Sequence, residues 1–497
     1  MNSTCAAPQR PAKPFDPRSM TRPLNLPTLS ARAARWVCLG LATALLGACA
    51  VTPAYQQPDL PVPAAFKEAG ATWAPAAPAD ALDRGPWWEL FGDAELNHLA
   101  EQVQLSNQNI AAAVAAYAQA QAVVRQQHAG LLPSVSLSGG ATRTGGEGAS
   151  RSGLSTQASL SVDWAPDLWG RLQSSVGSAE ASAQASEADL ASARLSAVGA
   201  LASAYFQLRE ADAEIDLLQA TVEGYERSLQ IARNRYNAGV VAQTDVLQAQ
   251  TQLANARADL ATVRQNRARY EHALAVLTGR APADFALARA PWAAEVPQVP
   301  LGLPSDLLQR RPDIAAAERA VAAANAQIGI QRAAYFPSLS LGGSLGTGGG
   351  SVADLFKASS LVWSLGLSVA QTVFDAGATA ARVEQAEAAH SARVATYRQT
   401  VLTAFQGVED QLTVLRTQQQ QEPLRREAVA AAERTAQQLL NRYREGQVGY
   451  TEVVTAQAAA LSAQRALLQL QVNRQLAVVA LVQALGGGWQ APWQVVQ

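Results

Sequence analysis

Arg235-Tyr236-Asn237-Ala238-Gly239-Val240-Val241-Ala242-Gln243-Thr244-Asp245-Val246-Leu247-Gln248-Ala249-Gln250, read RYNAGVVAQTDVLQAQ, returns 207 residues later as RYREGQVGYTEVVTAQ, from Arg442 to Gln457. Eight of the sixteen positions are identical: Arg, Tyr, Gly, Val, Thr, Val, Ala and Gln. Two further anchors keep the same order. Leu132-Pro133-Ser134 recurs as Phe336-Pro337-Ser338, each opening a Ser/Gly/Leu stretch, and Asp167-Leu168-Trp169-Gly170 recurs as Asp375-Ala376-Gly377. Chance similarity between Ala-rich helices does not produce three ordered anchors at shifts of 204 to 208 residues. The length alone would suggest about three domains. The repeat replaces them with two homologous halves that share one fold.

Outward from the repeat, residues 171–237 contain no proline, and their apolar residues fall on a regular stripe. Val198, Leu201, Tyr205, Leu208, Ile215, Leu218, Val222, Tyr225, Leu229, Ala232 and Tyr236 step by 3 or 4, with one skipped position near Asp212. His390, Val394, Tyr397, Val401, Ala404 and Val408 do the same in the second half. Such heptad spacing predicts left-handed coiled-coil packing. A helix of this length runs about 100 Å at ~1.5 Å per residue. Residues 94–128 and 241–278 are also helical in pattern and together nearly as long, so they can stack end to end beside it. Gly239 and Gly446 turn the chain at the far tip, where a positive φ suits glycine.

Segments 131–145, 153–164, 336–347 and 361–374 alternate instead. Ser136, Ser138, Ser338 and Ser340 interleave with Val135, Leu137, Leu339 and Leu341, and Pro133 marks the first strand's beginning. Each segment is near the ~10 residues that cross a bilayer as a tilted strand, with a polar lumen face and a lipid face. A soluble hairpin cap fits the alternation equally well. If the strands do cross lipid, four cannot close a barrel, since known barrels begin at about eight. An open edge is not tolerated in lipid, so several chains must then share one barrel.

The N-terminus reads as an address. Arg32 and Arg35 precede an apolar run from Trp36 to Leu46. That run is too short to span the membrane, which needs ~20 residues, and has the build of a secretory signal. Ala48-Cys49-Ala50 is compatible with ordinary cleavage. Leu46-Gly47-Ala48-Cys49 also resembles the bacterial lipobox, in which Cys49 is lipidated and becomes the first residue, and the Leu and two small residues stand at the right offsets. Met20 is a candidate start, given the long stretch before Arg32. Removing residues 1–48 takes away Cys5, Cys38, six basic residues and one Asp. The remainder has 33 basic and 39 acidic residues, and Cys49 is its single cysteine, so no intrachain disulfide is available.

Composition excludes several functions. A net charge of −1 offers no basic surface for nucleic acid. The only lysines, Lys13, Lys67 and Lys357, sit in no GxxxxGK[ST] setting, which excludes a P-loop. His98, His128, His272 and His390 show no metal-ligand spacing. Arg310-Arg311-Pro312-Asp313 reads as helix entry with an ion pair, not as a catalytic group. The expectation is therefore no enzyme, no catalytic residue, no metal and no cofactor. The charged fraction, 16%, is low against the roughly 25% of soluble domains, without excess hydrophobicity.

These features together resemble the TolC-like outer-membrane factors, specifically the NodT-type efflux lipoproteins. The residues that carry the resemblance are Trp87-Trp88-Glu89-Leu90-Phe91 with Leu96-Asn97, then Asp306-Leu307-Leu308-Gln309-Arg310-Arg311-Pro312-Asp313-Ile314 with Ala317-Glu318. Ile328-Gly329, Tyr335-Phe336-Pro337 and Ala484-Leu485-Gly486-Gly487-Gly488-Trp489 complete them. The resemblance implies a mainly α fold with β. Long coiled-coil helices would form a periplasmic α-barrel, and four strands per chain would contribute to a trimeric 12-stranded outer-membrane β-barrel. The expected organisation is 1–48 lipoprotein signal peptide, 49–92 lipidated extended segment, 93–290 first repeat, 291–490 second repeat and 491–497 tail. Implied partners are two further copies in a homotrimer, a periplasmic membrane-fusion adaptor, an inner-membrane pump of the RND class and outer-membrane lipid, with no nucleic acid.

The resemblance also implies a gate at the tip turns, closed by carboxylate rings and inter-helix hydrogen bonds and opened by the adaptor. Glu452 follows the second turn, and Asp245 is its repeat partner. Three Glu452 side chains around a narrow axis would repel one another and disfavour anions. Tyr443 matches a family tyrosine that bridges to an acid on a neighbouring helix, here Asp245. Two departures suggest closure that is looser or depends on Glu452 alone: Thr455 stands where many relatives have an aspartate, and Val448 where some have a latch arginine. Gly239, Val241, Thr244, Gly446, Val448 and Thr451 are the candidates for adaptor docking, although helix reversal alone accounts for the glycines and N-capping partly for the threonines. The function expected is a passive exit duct of an efflux pump. A type I protein-secretion duct and a lipid-anchored periplasmic coiled-coil scaffold are the alternatives.

Overall fold

The computed structural model describes residues 51–69, 86–145, 153–292, 294–297, 299 and 310–487. The signal peptide, Cys49, Asp306 to Gln309, Gly488, Trp489 and the 491–497 tail lie outside the described residues. In chain order the regular elements are α1 (Ala94–Ser106), α2 (Gln108–Ala129), β1 (Ser134–Thr144), β2 (Gly153–Trp164), α3 (Arg171–Asn237) and α4 (Gln243–Leu277). After them come α5 (Pro312–Arg332), β3 (Ser338–Gly349), β4 (Leu361–Ala370), α6 (Ala378–Arg444) and α7 (Tyr450–Ala484).

α3 and α6 are each 67 residues long and start after a glycine in the left-handed region, Gly170 and Gly377. The heptad stripe of α3 is its buried seam. Val198, Leu201, Tyr205, Leu208, Ile215, Leu218, Tyr225, Leu229 and Ala232 are buried, whereas Tyr236, on the same stripe, is 43% exposed. The skipped position near Asp212 now has a cause. Asp212 is buried among Arg209 at 3.3 Å, Arg267 at 2.7 Å and Arg289 at 3.4 Å. Arg209 and Arg267 also donate to the carbonyls of Ala288 and Leu287, which fastens the segment after α4 onto α3.

The helix expected over 94–128 is broken in two. Asn107 ends α1 and caps α2, its side chain accepting from Asn109 N and Ile110 N at 2.9 and 3.2 Å. Its amide donates to Leu277 O at 2.8 Å, so the start of α2 meets the end of α4. The second half repeats that end-to-end junction with different chemistry. Arg311 pairs with Asp313 at 2.6 Å and donates to Ala484 O at 2.7 Å, joining the start of α5 to the end of α7. Pro312 occupies the first turn of α5, where its missing N–H costs nothing. Pro423 lies inside α6 and does not end it.

The four strands form one antiparallel sheet in the order β1-β2-β3-β4. β2 matches its alternating segment of 153–164, and the other three are shorter or shifted: β1 runs 134–144, β3 runs 338–349, and β4 stops at Ala370 rather than 374. Ser136, Ser161, Ser344 and Ser364 stand in one row across all four strands, with hydroxyl contacts of 2.7 and 2.8 Å at its two ends. On the other face Leu137, Leu160, Leu345 and Trp363 form the adjacent row, with Leu137 78% and Trp363 74% exposed. Among the described residues no helix is long and apolar enough to cross a membrane.

The chain from Val51 to Ala69 lies along the upper helices. Thr52 meets Ser174 at 2.5 Å, Pro53 O accepts from Asn325 at 2.8 Å, and Tyr55 donates to the Glu318 carboxylate. Farther along, the Lys67 and Glu68 amides donate to Glu409 at 2.7 and 2.9 Å. Two apolar clusters dominate the core. One gathers Trp87, Trp88, Leu96, Leu99, Leu201, Tyr205, Phe206 and Leu481 around the middle of the helices. The other sits at the tip and draws on both halves: Tyr225, Leu229, Val246, Leu253, Tyr443, Tyr450 and Val453.

Candidate functional site

Both tips reverse the chain with one backbone solution. Gly239 N and Val240 N donate to Tyr236 O and Arg235 O, and Gly446 N and Gln447 N donate to Tyr443 O and Arg442 O, all at 2.9 Å. The reversal needs a positive φ, 73° at Gly239 and 80° at Gly446, where a Cβ would be strained. The returning helices α4 and α7 then start with Asp245 and Glu452 in their first turns, where the helix dipole favours a carboxylate.

Tyr443 is the centre of the site. It is 2% exposed, and its ring packs 5.1 Å from Tyr450 and 4.6 Å beneath the Arg235 guanidinium. Arg235 also donates to the Tyr443 carbonyl, and the Tyr443 hydroxyl donates to Asp245 Oδ2 at 3.3 Å. Burial, and after it the nearby Asp245 carboxylate, push the Tyr443 phenol up to about 12 against the opposing pull of Arg235. The phenol therefore stays a protonated donor at any neutral pH. Burial likewise raises the Tyr450 phenol. The result is a clasp between the halves, with Arg235 and Asp245 from the first and Tyr443 from the second. Arg235 was visible in the repeat only as an identity with Arg442; its partner ring lies 208 residues away in the chain.

The other gate candidates stand apart from this clasp in a single chain. Glu452 is exposed, and its carboxylate has no hydrogen-bond partner among the described residues. Thr455 is exposed and returns its hydroxyl to Thr451 O of its own helix at 2.9 Å. The docking candidates divide in the same way. Thr244 and Thr451 share a shallow groove between α4 and α7 with Leu247, Gln248, Thr251 and Val454, bridged by Thr451 to Gln248 at 3.3 Å. Gly239 and Gly446 form the outermost turns, Val241 is half-buried, and Val448 packs into the tip cluster. Among the described residues no three His, Cys, Asp or Glu side chains gather as metal ligands.

The family described as Outer membrane efflux protein matches residues 99–280 and 303–487. The probable efflux pump outer membrane protein TtgC of Pseudomonas putida is 33% identical over 461 residues, covering 91% of this chain and 95% of the relative. The cation efflux system protein CusC of Escherichia coli is 29% identical over 463 residues, covering 91% of this chain and 98% of the relative. Among solved structures, the outer-membrane channel OprN is similar with a TM-score of 0.80 and 30% identity, covering 89% of this chain and all of that one. The open state of the Neisseria gonorrhoeae MtrE outer membrane channel is similar with a TM-score of 0.77 and 28% identity, covering 89% of this chain and 99% of that one.

Proposed function

The chain belongs to the outer membrane efflux protein family, and from that premise we propose how its parts work. It is the outer-membrane exit duct of a multi-component efflux system, with a trimeric β-barrel in the membrane and a long helical extension into the periplasm. The tip acts as the gate of that duct. The observation that carries this reading is the Arg235–Tyr443–Asp245 clasp, which ties the halves together at the end of the two longest helices. Glu452 lines the constriction, where three like charges raise the barrier to anions and repel one another once the clasp loosens.

Docking of a periplasmic adaptor in the groove of Thr244, Leu247 and Thr451 would pull α4 and α7 apart and open the duct. The pump behind that adaptor is of the RND class. Relatives named for toluene, pyoverdine and cations belong to one family with this chain, so cargo is chosen by the pump rather than the duct. The Ser- and Gly-rich polar face of the sheet suits such an indifferent lumen. Cys49 carries the lipid anchor. Thr52, three residues on, meets Ser174 in the first turn of α3, the helix that follows β2 in the chain, which supports an anchor at the membrane end.

Single-channel conductance in planar bilayers tests the gate. Removing the one hydroxyl in Tyr443→Phe deletes a hydrogen bond of about 1 kcal/mol, which raises the open fraction about fivefold. Glu452→Ala raises conductance or antibiotic leak as well. Unchanged values in both variants would remove the tip as the constriction. Affinity purification with the native adaptor and pump, followed by their identification, tests the partners.

A further inference from the structure

The two tips share a backbone but only one of them is closed. A shift of 207 residues carries Arg235 onto Arg442, Tyr236 onto Tyr443 and Asp245 onto Glu452, and the turn hydrogen bonds agree at 2.9 Å throughout. Tyr443 is buried beneath Arg235 and against Asp245. Its twin Tyr236 is 43% exposed, and its hydroxyl has no hydrogen-bond partner among the described residues of one chain. Among the described residues Glu452 is equally unpartnered, and the Arg442 side chain reaches only Gln447, at 3.4 Å. A complete second set of clasp residues is present and lacks only its counterpart.

The arrangement of elements says where that counterpart comes from. Within one chain the first half meets the second through β2 on β3, α3 on α5, α3 on α7 and α4 on α7. Applying the half-to-half shift once more turns these into β4 on β1, α6 on α2, α6 on α4 and α7 on α4 of a second copy. Those surfaces are the open ones in a single chain. β1 and β4 are the unpaired edges of the sheet, and α2 buries only Ile110. α6 leaves Leu402 54% and Leu424 65% exposed. The clasp lies at the same junction, since Tyr443 of the second half reaches Arg235 and Asp245 of the first. Shifted once, Tyr236 of the partner subunit reaches Arg442 and Glu452.

We infer that Glu452 accepts a hydrogen bond from Tyr236 of the partner subunit, whose ring lies beneath Arg442. The closed tip then alternates a clasp inside each protomer with a clasp between protomers. This rests on the reading of the tip as a gate and adds what holds Glu452 in place. A carboxylate fixed by a neighbour's phenol and guanidinium sits at a set position on the axis. Adaptor docking would have to break two kinds of contact, one of which also holds neighbouring subunits together.

Two measurements on the full-length protein decide it. The chain's only cysteines, Cys5, Cys38 and Cys49, all precede the described residues, so introduced pairs report cleanly. A Tyr–Glu contact holds its Cα atoms beyond the ~7 Å limit for a disulfide, so a short bismaleimide is the probe. Tyr236→Cys with Glu452→Cys is expected to give covalent dimers and trimers, while Tyr443→Cys with Asp245→Cys reacts within one chain. Monomer alone from the first pair, when the second pair reacts, overturns the inference. The second measurement is leak conductance. Tyr236→Phe is expected to raise it about fivefold, and Tyr236→Phe with Glu452→Ala no further than Glu452→Ala alone. Additive increases mean that the two residues do not touch, and the inference fails. Cross-linking with no change of leak in any variant sinks the gate reading instead and leaves the contact standing.

Discussion

α3 and α6 are the same helix written twice, equal in length, entry glycine and exit turn, yet they are buried differently. Toward the sheet they agree: Leu190 and Tyr397, Leu201 and Val408, and Tyr205 and Leu412 are buried twins. Toward the tip they part. α3 goes on burying Ala211, Asp212, Ile215, Leu218, Tyr225, Leu229 and Ala232, while α6 buries nothing from 418 to 442 and closes only at Tyr443. The exposed stretch of α6 from 418 to 442 mixes Gln and Ala with seven charged residues, Glu422, Arg425, Arg426, Glu427, Glu433, Arg434 and Arg442.

The largest contrast is expected at the position where α3 breaks its stripe. Asp212→Ala leaves Arg209 buried with its carboxylate gone, while Arg267 keeps Glu271 at 3.2 Å, at a cost of about 3 kcal/mol. The twin position on α6 holds Gln419, which is exposed, and Gln419→Ala should stay within about 0.5 kcal/mol. Melting of the helical circular-dichroism signal in detergent checks both. Equal losses would mean that the two helices are supported alike and that the buried ion cluster is ornamental.

A smaller effect is expected on assembly. Leu195 of α3 packs against Gly487 beyond the end of α7, inside one chain. Its twin Leu402 is 54% exposed, and the same shift sets it against the end of α4 in a second copy. Leu402→Asp therefore costs roughly 2 kcal/mol per interface, felt as dissociation rather than unfolding. Native electrophoresis at decreasing concentration should show monomer appearing early while the helical signal persists. An unaltered trimer would take this face of α6 out of the interface.

How much of this was readable beforehand follows from how local each feature is. The long helices, their stripe and their glycine turns repeat within a few residues, so the sequence shows them directly. The skip at Asp212 is visible too, but not its reason, because Arg267 and Arg289 come from a different helix and the segment behind it. The break at Asn107 shows locally only as Ser106-Asn107, residues that suit a cap, while the contact that makes it a junction, its amide on Leu277 O, lies 170 residues on. The pairing of Tyr443 with Asp245 came from family resemblance and lies at 3.3 Å. Arg235 above that ring, and Tyr450 beside it, were unreadable, since each depends on which side the second half docks.

The smallest expected effect separates the two helices by pH. Glu210 on α3 is half-buried in a cavity with Glu214 on its own helix, Asn266 and Tyr270 of α4, and Arg465 and Gln469 of α7. Burial, and after it the Glu214 charge, raise its carboxyl from an ordinary 4.5 to about 7, while Arg465, already paired with Glu214 at 2.6 Å, lowers it only in part. The folded state thus holds a proton that the unfolded chain releases near 4.5. Stability from this group is fully present below that value and is lost as pH rises through about 7. The twin on α6, Thr417, is exposed and does not titrate. Wild-type protein should therefore melt at a lower temperature at pH 7.5 than at pH 5, and Glu210→Gln should flatten that slope and melt higher at pH 7.5. The amide keeps the shape and the hydrogen-bonding edge, so the difference isolates the charge. A Glu210→Gln profile parallel to wild type would place the slope in other carboxylates, and α3 would then owe its deeper burial nothing in proton uptake.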